Sequence, residues 1–189
     1  MKRMGKLSGA LAALALAGGL TVGMTGTAHA EVTPPAGTWA EIFNPYTNTA
    51  PVCLDDPSGS TAVGTLLQVW HCHGYASNGT PQRWLFGDWG SEGPGVHDWV
   101  VETANGPLCL GPSGTGAAGS RVALVKCFIG PVWNLHSLGA DTAAYPDFEL
   151  ELYHTGLCMT LPDWSGGNGE PVILEPCRAG NSLQHWVLG

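Results

Sequence analysis

From residue 39 onward the chain alternates between short apolar stretches and clusters of turn-forming residues, and one pattern recurs three times. Leu67 and Val69, Val122 and Leu124, and Val172 and Leu174 occupy one parity of three short segments. Gln68 and Trp70, Ala123 and Val125, and Ile173 and Glu175 occupy the other. A period of two marks a half-buried strand, so the aliphatic parity is expected in the core and the varied parity on the outer face. No segment sustains an apolar period of 3.6 residues, and 28 glycines with 14 prolines favour short strands and tight turns over helices. The expected fold class is all-β.

These strands belong to a larger internal repeat. Three units align: Cys53-Leu54-Asp55 to Gln82-Arg83-Trp84, Cys109-Leu110-Gly111 to Val132-Trp133, and Cys158-Met159-Thr160 to Gln184-His185-Trp186. Each opens with a strand-like stretch before its first cysteine, at Trp39 to Phe43, Trp99 to Glu102 and Asp147 to Tyr153. The units extend over about residues 38–86, 98–136 and 147–189. Six cysteines allow about 15 pairings. The repeat symmetry selects one disulfide per unit: Cys53 with Cys72, Cys109 with Cys127, and Cys158 with Cys177. Trp84, Trp133 and Trp186 close the units and read as core pillars. Three four-strand units around a pseudo-threefold axis would close a barrel and remove the edges that an isolated unit leaves. Variable loops are expected at Gly87 to His97 and Ser137 to Pro146.

The amino terminus has another character. Lys2, Arg3 and Lys6 precede an apolar run from Leu7 to about Val22, and small residues end in Ala28-His29-Ala30. This is the pattern of a signal peptide cleaved after Ala30, leaving residues 31–189 as one domain of a secreted, extracellular protein. No later segment is apolar enough to cross a membrane. Cleavage also removes three positive charges from a chain whose formal charge is already −8. Only Arg83, Arg121, Lys126 and Arg178 stay basic, so nucleic acid and anionic lipid are not expected partners. Asn78-Gly79-Thr80 is a glycosylation sequon, relevant only in a host that uses it.

With its threefold repeat, its Cys-Leu-Asp opening, an aromatic two residues before the second cysteine and a Gln-x-Trp close, the chain resembles the ricin B lectin family. The resemblance covers about residues 38–189. It implies a β-trefoil with up to three sugar sites, one per repeat, often specific for galactose or related sugars. Only the first repeat carries the full set. Asp55, Gln68, Trp70 and Gln82 stand at the matching places, and His73 follows the second cysteine where a polar residue commonly helps hold a hydroxyl. The second repeat has Gly111, Ala123, Val125 and Pro131 there, and the third keeps only Gln184 beside Thr160, Ile173 and Glu175. Both read as scaffold without a competent site.

The chemistry of the first-repeat set suits a pyranose, which offers apolar C–H patches and a rim of hydroxyls. Trp70 supplies a flat face, Gln68 shares its strand parity, and an ionised Asp55 can accept two charge-assisted hydrogen bonds from vicinal hydroxyls. Asp55-Asp56-Pro57-Ser58-Gly59 is also rich in turn formers, which gives Asp55 a competing role as a turn cap. The run His71-Cys72-His73 invites a metal reading, but a disulfide-bonded sulfur is no ligand and no third donor is evident. Asp147, Glu149 and Glu151 alternate with Phe148, Leu150 and Leu152, and are expected on the solvent side of a half-buried strand rather than as the carboxylate pair of a glycosidase. No catalytic residue, metal or cofactor is expected. The competing function is a trefoil that binds or inhibits a protein through loops such as Gly87 to His97.

Overall fold

A computed structural model describes residue 37 and residues 39–74, 81–93, 96–127, 131–138 and 147–189. The leader, the Asn78 sequon and most of the expected loop from Ser137 to Pro146 lie outside the described residues. The first unit contains β1 (Trp39–Ala40), β2 (Ile42–Asn44), β3 (Val52–Asp55) and β4 (Gln68–His71), and enters β5 (Trp84–Gly93). The second comprises β6 (Val96–Thr103), β7 (Leu108–Pro112), β8 (Val122–Lys126) and β9 (Trp133–Ser137). The third comprises β10 (Phe148–Leu152), β11 (Leu157–Thr160), β12 (Glu170–Pro171), β13 (Ile173–Pro176) and β14 (Val187–Leu188), the last preceded by a 3₁₀ turn at Ser182–Gln184.

The pairing closes a ring. β1 pairs with β5, β5 with β6, β6 with β9, and β9 with β10. A bridge from Phe148 to Trp186 joins β10 to the terminal segment, and β14 pairs back onto β2. Glu41 and Gly189 exchange backbone hydrogen bonds at 3.0 and 2.9 Å, so the last residue seals the seam between β1 and β2. Closure gives the barrel strands neighbours on both sides, which protects the edges that would otherwise template aggregation.

Three hairpins, β3–β4, β7–β8 and β11–β13, cap the barrel. Their second strands meet at the axis, where Leu67 N–H donates to Val122 O and Val122 N–H to Val172 O, both at 2.9 Å. The expected aliphatic parity is buried throughout. On the other parity Ala123 is only 1% exposed, and a backbone bridge pairs it with Leu66. Each hairpin arrives through a glycine five residues before the second aliphatic position. Gly64, Gly119 and Gly169 have φ of +89°, +82° and +87°, a region that a side chain makes costly. Their N–H groups donate to Leu124 O, Leu174 O and Val69 O, at 2.7, 2.7 and 2.9 Å, and so dock each hairpin on the next repeat.

The three closing tryptophans fill the barrel with no exposed surface. Burying an indole of about 200 Å² contributes on the order of 5 kcal/mol before entropy is charged. Their N–H groups are satisfied in the same way in each unit. Trp84 Nε1 donates to Leu54 O at 3.1 Å, Trp133 Nε1 to Leu110 O at 2.9 Å, and Trp186 Nε1 to Met159 O at 2.9 Å. The acceptor is always the residue after the first cysteine, which ties the close of each unit to its opening. The disulfides join Cys53–Cys72, Cys109–Cys127 and Cys158–Cys177, as the repeat symmetry requires. Each closes a loop whose chain-entropy contribution is about 3 kcal/mol.

Two expectations are corrected. Gly87 to His97 is not an irregular loop: β5 and β6 pair antiparallel from Trp84↔Thr103 out to Gly93↔Val96. The ladder needs only backbone groups, so a glycine-rich run can join it, and register shifts between Asp88 and Gly90 and between Ser91 and Gly93 absorb the irregularity. Nor do Asp147 and Glu149 face solvent, each being 7% exposed. The Tyr46 hydroxyl donates to Asp147 Oδ2, while Glu151 pairs with His136 Nε2 and accepts the Gly156 N–H at 2.9 Å. Asp147 and Glu151 thus meet polar partners, and Glu149 is covered by the packed strands.

Candidate functional site

β3 and β4 position the first-repeat residues. Their register sets Asp55 opposite Gln68 and Cys53 opposite Trp70, so the outer-face residues of β4 stand beside the end of β3. The chain then turns at Asp56, which is buried and accepts from Ser60 N at 3.0 Å, Thr103 Oγ1 at 3.3 Å and Asn105 Nδ2 at 3.5 Å. Turn capping therefore falls to Asp56, and Asp55 is left for the cavity. This division of labour was not legible in two adjacent aspartates.

An open cavity of about 360 Å³ is lined by Asp55, Pro57, Ser58, Gln68, Trp70, His73 and Pro81. Of the five expected site residues, four line it: the Asp55 carboxylate, the Gln68 amide, the half-buried Trp70 ring and the exposed His73. Asp55 is only 4% exposed, yet it forms part of the cavity wall. Two amides hold it: Gln68 Nε2 donates to Oδ2 at 2.8 Å, and Gln82 Nε2 to Oδ1 at 3.3 Å. Each carboxylate oxygen has accepting capacity beyond the one amide bond it receives.

Gln82 differs from the other four. It has no exposed surface, and its amide is fully occupied, donating to Asp55 and to His71 O at 3.1 Å while its oxygen accepts the His73 N–H at 2.9 Å. Gln82 thus orients Asp55 and anchors the backbone of His73 rather than offering a group to solvent. Burial raises the Asp55 pKa above its ordinary value, opposed by the Gln68 and Gln82 hydrogen bonds and by nearby His73 and His71.

Pseudo-symmetry shows how the other two places diverge. In the third repeat the frame survives: Gln184 Nε2 donates to Thr160 Oγ1 and Pro176 O, both at 3.0 Å, and its oxygen accepts the Arg178 N–H at 2.8 Å. A cavity of about 220 Å³ remains, but Thr160, Ile173 and Glu175 replace the carboxylate, amide and indole. In the second repeat the place is filled. A Cβ on Gly111 would lie 2.6 Å from both Pro131 Cγ and Val125 Cγ2. Ring and branched chain therefore occupy the volume that the first repeat leaves open.

Barrel and hairpin cap together define a β-trefoil. Residues 39–186 match the ricin-type beta-trefoil lectin domain, and the chain belongs to that family. The same fold is found in a designed threefold-symmetric protein, ThreeFoil, at 20% identity and a TM-score of 0.63, covering 79% of this chain and 96% of that one. The Macrolepiota procera ricin B-like lectin, solved in complex with lactose, is 20% identical with a TM-score of 0.60, covering 83% and 98%. The Rhizoctonia solani agglutinin is 21% identical with a TM-score of 0.63, covering 83% and 96%. None of the curated proteins compared matches in sequence.

Proposed function

We propose that this is a secreted, non-enzymatic lectin that holds a sugar unit, galactose-like or part of a polysaccharide, in the first-repeat cavity. The observation carrying this reading is the convergence of an indole and a buried, amide-held carboxylate on one open cavity, while the equivalent place in the second repeat is packed shut. Trp70 serves as the platform, Asp55 as the main acceptor, Gln68 and His73 as supporting contacts, and Gln82 as the group that aims Asp55. Placing acceptor and platform on paired strands means that little ordering entropy is lost on binding. Shallow sites of this kind bind near millimolar, about −4 kcal/mol.

Glycan-array or polysaccharide pull-down binding by the chain from residue 31 tests the reading. Trp70→Ala is expected to lose retention on the matrix that captures the wild type. Equal retention of the two would place the ligand elsewhere.

Binding should also weaken on acidification, because the accepting form of Asp55 is the ionised one. Burial raises its pKa, so affinity is expected to fall at a pH above the 3.8 of an ordinary aspartate. Titration calorimetry across the acidic range checks this. Affinity that holds constant through the whole acidic range in which an aspartate protonates would show that Asp55 is not the acceptor.

A further inference from the structure

The first-repeat site has a neighbour contributed by the third repeat. β12 pairs with β4, Glu170 opposite Val69 and Pro171 opposite Gln68, and this brings the turn before β12 alongside the cavity. A Cβ on Gly169 would sit 3.9 Å from Trp70 Cζ3 and 3.8 Å from Gln68 Oε1, so this glycine borders the platform. The preceding residue, Asn168, is exposed and next in the chain to that glycine, outside the lining of the cavity itself.

The Asn168 amide is held in one orientation. His71 N–H can only donate, and it does so to Asn168 Oδ1 at 2.7 Å. The amide nitrogen must therefore face the His71 ring, where Nδ2 lies 3.0 Å from Nδ1. That contact requires a lone pair on Nδ1 and sets the His71 tautomer with its proton on Nε2. One Nδ2 hydrogen and one Oδ1 lone pair remain for solvent or ligand.

Pseudo-symmetry supplies internal controls. The equivalent turns dock Gly64 against Leu124 of the second repeat and Gly119 against Leu174 of the third, and the residues before those glycines are Val63 and Ala118. The partners at the place of His71 are Lys126 and Pro176. The turn that borders the cavity holding carboxylate and indole is the one of the three with a polar residue directly before its glycine, and that residue is held by two hydrogen bonds.

We infer that Asn168 is a specificity-determining residue of the first-repeat site, contributing its remaining amide hydrogen to a second sugar unit. The ligand class is accordingly a disaccharide or longer chain. The inference rests on the first-repeat cavity holding the first unit. Because the amide is already oriented, forming the bond sacrifices little side-chain entropy.

The test compares galactose with lactose, and glucose with cellobiose, by titration calorimetry on wild type, Asn168→Ala, Asn168→Asp and Asp55→Asn. Wild type is expected to bind the disaccharide of one pair about 3- to 10-fold more tightly than its monosaccharide, the range of one added hydrogen bond. In Asn168→Ala that ratio should fall to about one, with monosaccharide affinity unchanged. Asn168→Asp keeps an acceptor for the His71 N–H, so the turn stays docked while the donor is lost, and its ratio should fall likewise. A wild-type ratio near one, or a ratio unchanged in both variants, overturns the inference and leaves the monosaccharide site standing. No binding of any of the four sugars by wild type, or undiminished binding by Asp55→Asn, overturns the reading of the site and this inference with it.

Discussion

Asp55→Asn is expected to abolish measurable sugar binding while leaving the fold intact. The substitution removes the charge and preserves the shape. Gln82 is pinned by His71 O and the His73 N–H, so its Nε2 still needs an acceptor, which the amide oxygen of the substituted side chain provides. Among the described residues the Gln68 amide bonds to Asp55, and it can rotate to present its oxygen to the new amide nitrogen. The frame is thereby kept and the charge-assisted acceptor lost. Bonds to a charged group contribute about 1.5–3 kcal/mol, so affinity should drop by roughly 10- to 150-fold. From a millimolar start, that lies beyond detection. Calorimetry with circular dichroism decides the matter. Retained binding in a folded Asp55→Asn would mean that the cavity recognises its ligand without the carboxylate.

Trp133→Ala is expected to have the largest effect on stability. Trp133 is fully buried in the barrel and lies in the repeat where Val125 and Pro131 fill the place of the cavity, so its loss reports on the scaffold. Truncating a buried tryptophan costs about 3–5 kcal/mol, and here Leu110 O also loses its donor. A domain of this size has a total stability of about 5–15 kcal/mol, so the variant should be close to its limit. The melting temperature should fall by roughly 6–20 °C. Trp133→Phe should recover most of the burial but not the bond to Leu110, and fall between the two. A denaturant series checks the order, and a loss below about 1 kcal/mol for Trp133→Ala would show that the pillars are redundant.

Much of the molecule was legible along the chain because its periodicities are local. Strand parity follows from the alternation of Leu67 with Gln68 and its two echoes, and the cysteine spacing recurs with the repeat, so core, disulfides and closing tryptophans could be read residue by residue. The convergence of Asp55, Gln68 and Trp70 was also readable, since they lie on neighbouring strands of one repeat. Gln82 was recognisable as part of the set, but its burial was not, because that depends on the returning backbone of His71 and His73.

What the sequence determined by itself was the arrangement inside each unit, where short-range alternation and spacing dictate which groups face one another. What only the tertiary structure decided was the contact between units. The ring sets Asp147 and Glu149 under cover, the β5–β6 ladder recruits a glycine-rich stretch, and hairpin docking brings Asn168 beside a strand 97 residues away. Nothing in the local pattern encodes these neighbours, because they arise when the three units close around a common axis and each buries a face that it cannot bury alone.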